Sequence, residues 1–200
     1  MKSNELLLDA FGRIRETVDA ALAGVDDATL LRRPGGNGNS MAWLIWHLSR
    51  VEDAQVASAA GLDQVWTSEG FAARFGLPLS KRDTGYGHTS GQVDAVQAPP
   101  ELLLEYYEAV HRQTVNFLEN LGDDDFDRIV DTRWDPPVTL GVRLVSTIAA
   151  CPTCWRQSAI VLTSRTPRVT GGSQRVSTIR SKSSSPRFSR KFTVCRWTAS

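Results

Sequence analysis

Residues 40–50 read SMAWLIWHLSR, and this stretch decides the fold. Ser40 is a residue type that caps the start of a helix, and helical spacing continues beyond it to about residue 60. The apolar side chains cover most of the circumference of this helix, which indicates burial on several sides. The stretch therefore predicts a long interior helix over residues 40–60, with Trp43 and Trp46 buried.

Two further long helices are predicted on either side of this one. Apolar residues recur at helical spacing over residues 4–24 and again over residues 99–121. A fourth helix begins at Thr139, but Pro152 interrupts it early. No stretch of any length shows strand-like alternation. The sequence therefore predicts an all-α four-helix bundle with an incomplete fourth helix and one long crossover, residues 62–98.

The charge of the chain is divided unevenly between two parts. All 22 acidic residues lie at or before Asp135, and with twelve Lys and Arg they give residues 1–135 a net charge of −10. Residues 136–200 hold eleven Lys and Arg and no acidic residue. Such asymmetry predicts a folded helical domain over residues 1–150, followed by a basic, Ser/Thr-rich and disordered tail over residues 151–200.

Composition also narrows the cellular context. The N-terminus lacks the basic start and apolar run of a signal peptide, and no apolar stretch approaches the ~20 residues of a membrane span. None of the three cysteines lies in the acidic part, so no disulfide framework holds it. The sequence therefore predicts a cytoplasmic protein with no membrane partner.

Two features of the tail are weak signals of function. Cys151 and Cys154 form a C-x-x-C pair, but neither a βαβ context nor a second pair of ligands accompanies it. The basic residues could grip phosphate, yet aromatic residues are nearly absent and no recognition module is visible. Nucleic acid is therefore not expected as a partner.

The three histidines are the leading candidates for chemistry. His47 lies mid-helix among tryptophans and leucines, where its ring nitrogens need either two hydrogen bonds or one hydrogen bond and a metal. His88 follows two glycines in the long crossover, where a backbone can approach a ligand closely, although a lone loop histidine is more often solvated. His111 stands at helical spacing on the third long helix and is interpreted as structural or exposed.

Charged residues near His47 are secondary candidates. Arg50 shares the helix face of His47, three residues further on. Glu52 and Asp53 lie one to two turns beyond His47 and could orient its imidazole or coordinate a metal. The alternative is that this acidic pair forms a solvated face.

Residues 40–50 resemble the second-helix signature of the DinB-like four-helix bundles. Within that superfamily the sequence is most similar to the actinobacterial branch known as domain of unknown function 664, which is related to the mycothiol-dependent maleylpyruvate isomerases. The resemblance runs from residue 4 to about residue 148. Within this range, the stretches that fit the branch besides residues 40–50 are residues 65–67, 75–78, 83–88 and 133–146.

This resemblance implies a divalent metal, zinc or nickel, held near one end of the bundle by histidines, of which one matches His47. It also implies a thiol cosubstrate of low molecular weight that is activated for transfer or isomerisation, because metal binding lowers the pKa of a thiol. In the family the other ligands come largely from the fourth helix, typically in a Gln-His-Val-Gly stretch. Relatives often carry a further histidine where this chain has Gln55.

The chain departs from the family at the fourth helix. Residues 150–155 read ACPTCW, and no histidine follows His111. A catalytic metal normally has three protein ligands, so the resemblance implies an impaired activity. Residues 151–155 can be encoded by TGC CCA ACA TGT TGG, which reads Ala-Gln-His-Val-Gly when shifted forward by one base. A frameshift near residues 148–150 is therefore the favoured hypothesis, and a natural basic tail is the alternative.

Two classes of function follow from these observations. The first is a metal- and thiol-dependent transferase-like or isomerase-like protein, with His47 as the surviving metal ligand and with His88, Asp53 and Arg50 as further contributors to the site. The second is a non-catalytic helical bundle that binds a small ligand or a protein partner, or an inactive gene product. The expected partner is a small-molecule substrate or thiol, and a homodimer stays an open alternative.

Overall fold

The structure is a computed structural model, and it describes residues 2–150. Three helices of twenty residues dominate it, and shorter helices, 3-10 turns and a small hairpin connect them. The α-helices are α1 (Ser3–Leu22), α2 (Asp27–Leu31), α3 (Met41–Ala60), α4 (Val65–Ser68), α5 (Phe71–Phe75), α6 (Ser90–Asp94) and α7 (Pro100–Glu119). An eighth helix, α8, begins at residue 140 and continues to the end of the described part at residue 150. The 3-10 turns are Pro34–Gly36 and Asp123–Asp127, and the strands are β1 (Ile129–Asp131) and β2 (Val138–Thr139).

The ends of α3 follow from its sequence. The Ser40 hydroxyl accepts a hydrogen bond from the Trp43 backbone N–H at 3.2 Å, which satisfies one of the free donors of the first turn. Gly61 ends the helix with a φ of +69°, a left-handed conformation that glycine adopts without a steric penalty. Trp43 and Trp46 are buried, as the sequence predicts.

Helix α7 packs against both α1 and α3, and the core lies among these helices and α8. Leu140, Leu144 and Thr147 form the buried stripe of α8, at helical spacing, whereas Val142 and Val145 are exposed. The predicted all-α bundle is therefore confirmed. The tail over residues 151–200, and any continuation of α8 into it, lie outside the described residues.

The long crossover is fastened to the bundle by aromatic side chains. Trp66, Phe71 and Phe75 are buried, and their rings lie 5.0 to 5.8 Å from the ring of Tyr106 on α7. The crossover itself consists of three short helices and turns. These contacts hold it against α3 and α7, where it can cover part of the bundle.

The sequence did not predict the hairpin. Strands β1 and β2 pair antiparallel before α8 and interrupt the otherwise helical order. Strands of three and two residues are too short to show an alternation of apolar and polar positions, so periodicity could not reveal them. Within the described residues, no helix is long and apolar enough to cross a membrane.

Candidate functional site

His47 presents one unprotonated ring nitrogen. Its ring stacks on that of Trp43, with ring centroids 4.6 Å apart, and its Nδ1 lies within hydrogen-bond distance of the Thr84 carbonyl oxygen. A carbonyl oxygen can only accept, so Nδ1 carries the proton and Nε2 carries the lone pair. Burial lowers the pKa of His47, which favours the uncharged ring. Within residues 2–150, Nε2 makes no hydrogen bond.

Segment 83–88 lies against His47. A Cβ atom on Gly85 would stand 2.7 Å from His47 Nδ1, which is closer than real Cβ atoms approach, and a tight 3.1 Å from Trp43 Cζ2. The φ of Gly85 is +93°, which also favours glycine. The Gly85 N–H donates to Asp83 Oδ1 at 2.9 Å and closes the turn. Glycine at position 85 therefore allows the Thr84 carbonyl to reach the imidazole.

His88 fastens this segment to α3. The Trp43 indole N–H donates to His88 Nδ1 at 3.0 Å, and His88 Nε2 lies 2.9 Å from Asp83 Oδ1. An indole N–H can only donate, so Nδ1 is the acceptor and the Nε2 proton is directed to the carboxylate. The side chain is only 3% exposed and stacks on Trp46. The solvated alternative is therefore wrong for His88, and both of its nitrogens are engaged within the protein.

Arg50 is a buried residue that binds the main chain of the crossover. Its side chain is completely buried. The Nε atom donates to the Asp83 carbonyl oxygen at 3.1 Å, and Nη2 donates to the Lys81 carbonyl oxygen at 3.3 Å. The guanidinium carbon lies 4.9 Å from the centre of the Trp66 ring, within the range of a cation–π contact.

Asp53 joins three elements of the fold. Its carboxylate accepts the backbone N–H groups of Val65 and Trp66, both at 2.9 Å, and thereby satisfies the first turn of α4. It also accepts the Tyr106 hydroxyl at 2.8 Å and lies 3.3 Å from Arg50 Nη1. Burial raises the pKa of Asp53, and the hydrogen bonds oppose this shift. These contacts are architectural, and none of them reaches His47.

Glu52 is buried with one of its carboxylate oxygens unpaired. Its Oε1 accepts the Thr114 hydroxyl at 2.8 Å, whereas Oε2 has no hydrogen-bond partner within the described residues. Burial raises the pKa of Glu52 to about 7. The interpretation of Glu52 and Asp53 as a solvated face is therefore wrong, because both side chains lie inside the bundle.

The raised pKa of Glu52 predicts a pH-dependent stability. The folded protein holds the proton up to a pH of about 7, whereas the unfolded chain releases it near 4.5. The free energy of unfolding should therefore fall as the pH rises from about 5 to about 8, by about 3 kcal/mol from this group. Urea unfolding of the wild type and of Glu52→Gln at several pH values checks this. The Glu52→Gln variant should lose this part of the slope, and equal slopes in both proteins would contradict the assignment.

Gln55 is tied to the hairpin and to α8. Arg143 Nη1 donates to Gln55 Oε1 at 2.6 Å, and Arg143 Nη2 donates to Asp131 Oδ2 at 2.7 Å. Arg133 binds the same carboxylate, and these hydrogen bonds hold the pKa of Asp131 well below its usual range. Gln55 on α3 is therefore connected through Arg143 on α8 to Asp131 on β1. The sequence alone did not predict this network.

The side chains of residues 2–150 do not assemble a complete metal site. Within them, no group of three His, Cys, Asp or Glu side chains is placed to share an ion. His47 fits the role of a ligand, because its Nδ1–H is held by a carbonyl and its Nε2 is unprotonated. His88 and Asp53 do not fit, since their polar atoms are already bound. The described residues supply one ligand, and a catalytic metal usually needs three.

The fold and the surroundings of His47 define a helical bundle with a single oriented imidazole on its second long helix. Residues 10–148 match the sequence profile of the DinB superfamily. The chain therefore belongs to the DinB superfamily. A solved structure of a conserved protein from Enterococcus faecalis is similar, with a TM-score of 0.73 and 28% sequence identity, over 80% of this chain and 95% of that chain. No curated protein matches the sequence.

Proposed function

We propose that this chain is a metal- and thiol-dependent transferase-like or isomerase-like member of the DinB superfamily whose activity is impaired. In this proposal His47 is the metal ligand that α3 contributes, and zinc or nickel is the metal. A low-molecular-weight thiol, of which mycothiol is the example that the resemblance suggests, is the cosubstrate. The protein acts in the cytoplasm on a small molecule.

The tautomer of His47 is the observation that carries the proposal. Histidines that bind a metal through one nitrogen almost always donate the other N–H to a carbonyl or a carboxylate. His47 has this arrangement through Thr84, and its lowered pKa keeps the lone pair on Nε2 available near neutral pH. A core histidine with two hydrogen bonds would lack a free nitrogen, as His88 does.

The impairment follows from the ligand count. The described residues give the metal one imidazole, and the chain has no histidine after His111. The metal would otherwise lower the pKa of a bound thiol and so supply thiolate as the nucleophile. With too few ligands to hold the ion, the protein should keep its fold but not this chemistry.

Metal binding tests both parts of this proposal. We expect the purified protein to contain less than one equivalent of zinc or nickel. We also expect that added Co²⁺ broadens the ring resonances of His47 in NMR spectra before those of His111. The Trp43 ring stacks on His47, so its resonances should broaden as well, and the His47→Ala variant should lose that broadening whereas His111→Ala, on α7, should leave it unchanged. Equal broadening of both rings would contradict the role of His47, and one tightly bound equivalent of metal would contradict the impairment.

The second candidate function is a non-catalytic bundle that binds a ligand or a partner. It is favoured by the contacts of His88, Arg50 and Asp53, since all three are committed to holding the crossover in place. Under this alternative, added Co²⁺ should produce no broadening specific to His47.

A further inference from the structure

We infer that Arg50 is a positioning residue that sets the tautomer of His47 by holding the main chain of the crossover. The inference rests on the proposed function only in taking Nε2 as the coordinating atom. Its test uses metal-free protein, so the two can fail separately. Arg50 touches neither ring nitrogen of His47, and it acts through the segment that does.

The two residues bind consecutive parts of one segment. Arg50 Nε and Nη2 donate to the carbonyl oxygens of Asp83 and Lys81. The next carbonyl after Asp83 belongs to Thr84, and it accepts the Nδ1–H of His47. Arg50 and His47 are three residues apart on α3, so they lie on one face of the helix. The guanidinium of Arg50 therefore fixes the position of residues 81–84 relative to the imidazole of His47.

The guanidinium can do this because it is itself held in place. Asp53 and the Tyr106 hydroxyl bind Nη1, and the Trp66 ring lies beside the guanidinium carbon. Three donors in a fixed planar fork can serve two carbonyls and a carboxylate at the same time. A lysine at this position would offer one ammonium nitrogen in place of the three guanidinium nitrogens that bind these acceptors. The positive charge alone therefore does not explain why residue 50 is an arginine.

The consequence for His47 is chemical. The hydrogen bond that a neighbouring group makes with one ring nitrogen of a histidine determines which of the two nitrogens carries the proton. With the Thr84 carbonyl in place, Nδ1 is protonated and Nε2 is free to bind a metal or accept a proton. When the segment is released, Nδ1 loses its acceptor, and the ring can place its proton on Nε2 instead. Arg50 thereby controls whether Nε2 carries a lone pair or a proton.

The tautomer can be read from the ¹⁵N chemical shifts of the imidazole ring in metal-free protein above neutral pH. We expect wild-type His47 to show only the Nδ1–H form. In Arg50→Lys a substantial fraction should shift to the Nε2–H form, and Gly85 should exchange its amide proton at least about tenfold faster. A wild-type His47 that is protonated on Nε2 would overturn the inference, whatever its metal affinity.

Tyr106→Phe is the matched control for a purely structural role. It removes the hydroxyl that binds Arg50 and Asp53 but leaves both carbonyl contacts of Arg50. We expect it to lower the melting temperature without changing the tautomer of His47. An unchanged tautomer in folded Arg50→Lys, or an equal change in Tyr106→Phe, would refute a positioning role. If Arg50→Lys does not fold, the double variant Arg50→Gln/Asp53→Asn removes both buried charges together and should show the same shift in tautomer.

Discussion

Replacing Asp53 with alanine is expected to lower the free energy of unfolding by about 3–5 kcal/mol, because it leaves a buried arginine without its counter-charge. The same change removes the acceptor of two backbone N–H groups at the start of α4 and of the Tyr106 hydroxyl. Each of these donors would then be buried without a partner, which adds a desolvation cost. The crossover should loosen before the bundle itself unfolds, since Asp53 is one of its main attachments.

Urea unfolding, followed by circular dichroism and by tryptophan fluorescence, measures this effect. Asp9→Ala is the control, because Asp9 forms an exposed pair with Arg13 on α1 and should behave like the wild type. Asp53→Asn should fall between the two, as an amide oxygen can still accept part of the hydrogen bonds. A loss for Asp53→Ala no larger than that for Asp9→Ala would show that the buried cluster does not hold the crossover.

Introducing the Gln-His-Val-Gly stretch that the resemblance implies for the fourth helix is expected to have the second large effect. In a variant where residues 151–155 become Ala-Gln-His-Val-Gly, the proline is removed and a histidine is added. A proline in a helix interior costs ~3 kcal/mol, so the variant should extend α8 and melt at a higher temperature. It should also bind more zinc or nickel than the wild type, because it adds a second imidazole to that of His47, and a metal present at 100 times its dissociation constant adds about 2.7 kcal/mol of stability.

A second version with Ala-Gln-Ala-Val-Gly separates these two contributions. It should gain the stability that comes from removing Pro152, but it should bind no more metal than the wild type. Metal content and melting temperature, with and without added Zn²⁺, distinguish the three proteins. The hypothesis that a frameshift removed the metal-binding function would be refuted if the version with histidine bound no more metal than the version with alanine.

The sequence predicted the long helices well because each has a continuous apolar stripe, and among the three only α3 also begins with a side-chain hydrogen bond at its N-cap. The predicted spans 4–24, 40–60 and 99–121 correspond to Ser3–Leu22, Met41–Ala60 and Pro100–Glu119. The close approach of the backbone at Gly85 was also predictable, since glycines in a long connection allow it. The hairpin was not, because its strands are too short to have a period.

The burial of the charged residues on α3 could not be predicted from the residue pattern of that helix alone. Arg50, Glu52 and Asp53 are polar residues in a helix that is apolar on most sides, and spacing alone cannot distinguish a solvated face from an internal cluster. Their partners come from α4, α7 and the crossover, which are 12 to 62 residues further along the chain. A usable signal was present, however. A helix surrounded by other elements has no solvated face, so its charged residues must find partners inside.

The crossover is attached to α3 through main-chain atoms, so its backbone position is constrained whereas its outward-facing side chains can vary. Arg50 and His47 contact carbonyl groups of residues 81, 83 and 84, and these groups are the same whatever side chains the segment carries. The side chains of Lys81, Arg82 and Tyr86 point outward and are exposed. Mutations at these three positions can therefore change the outer surface beside His47 at little cost to its orientation. That makes them suitable positions for diversification in directed evolution.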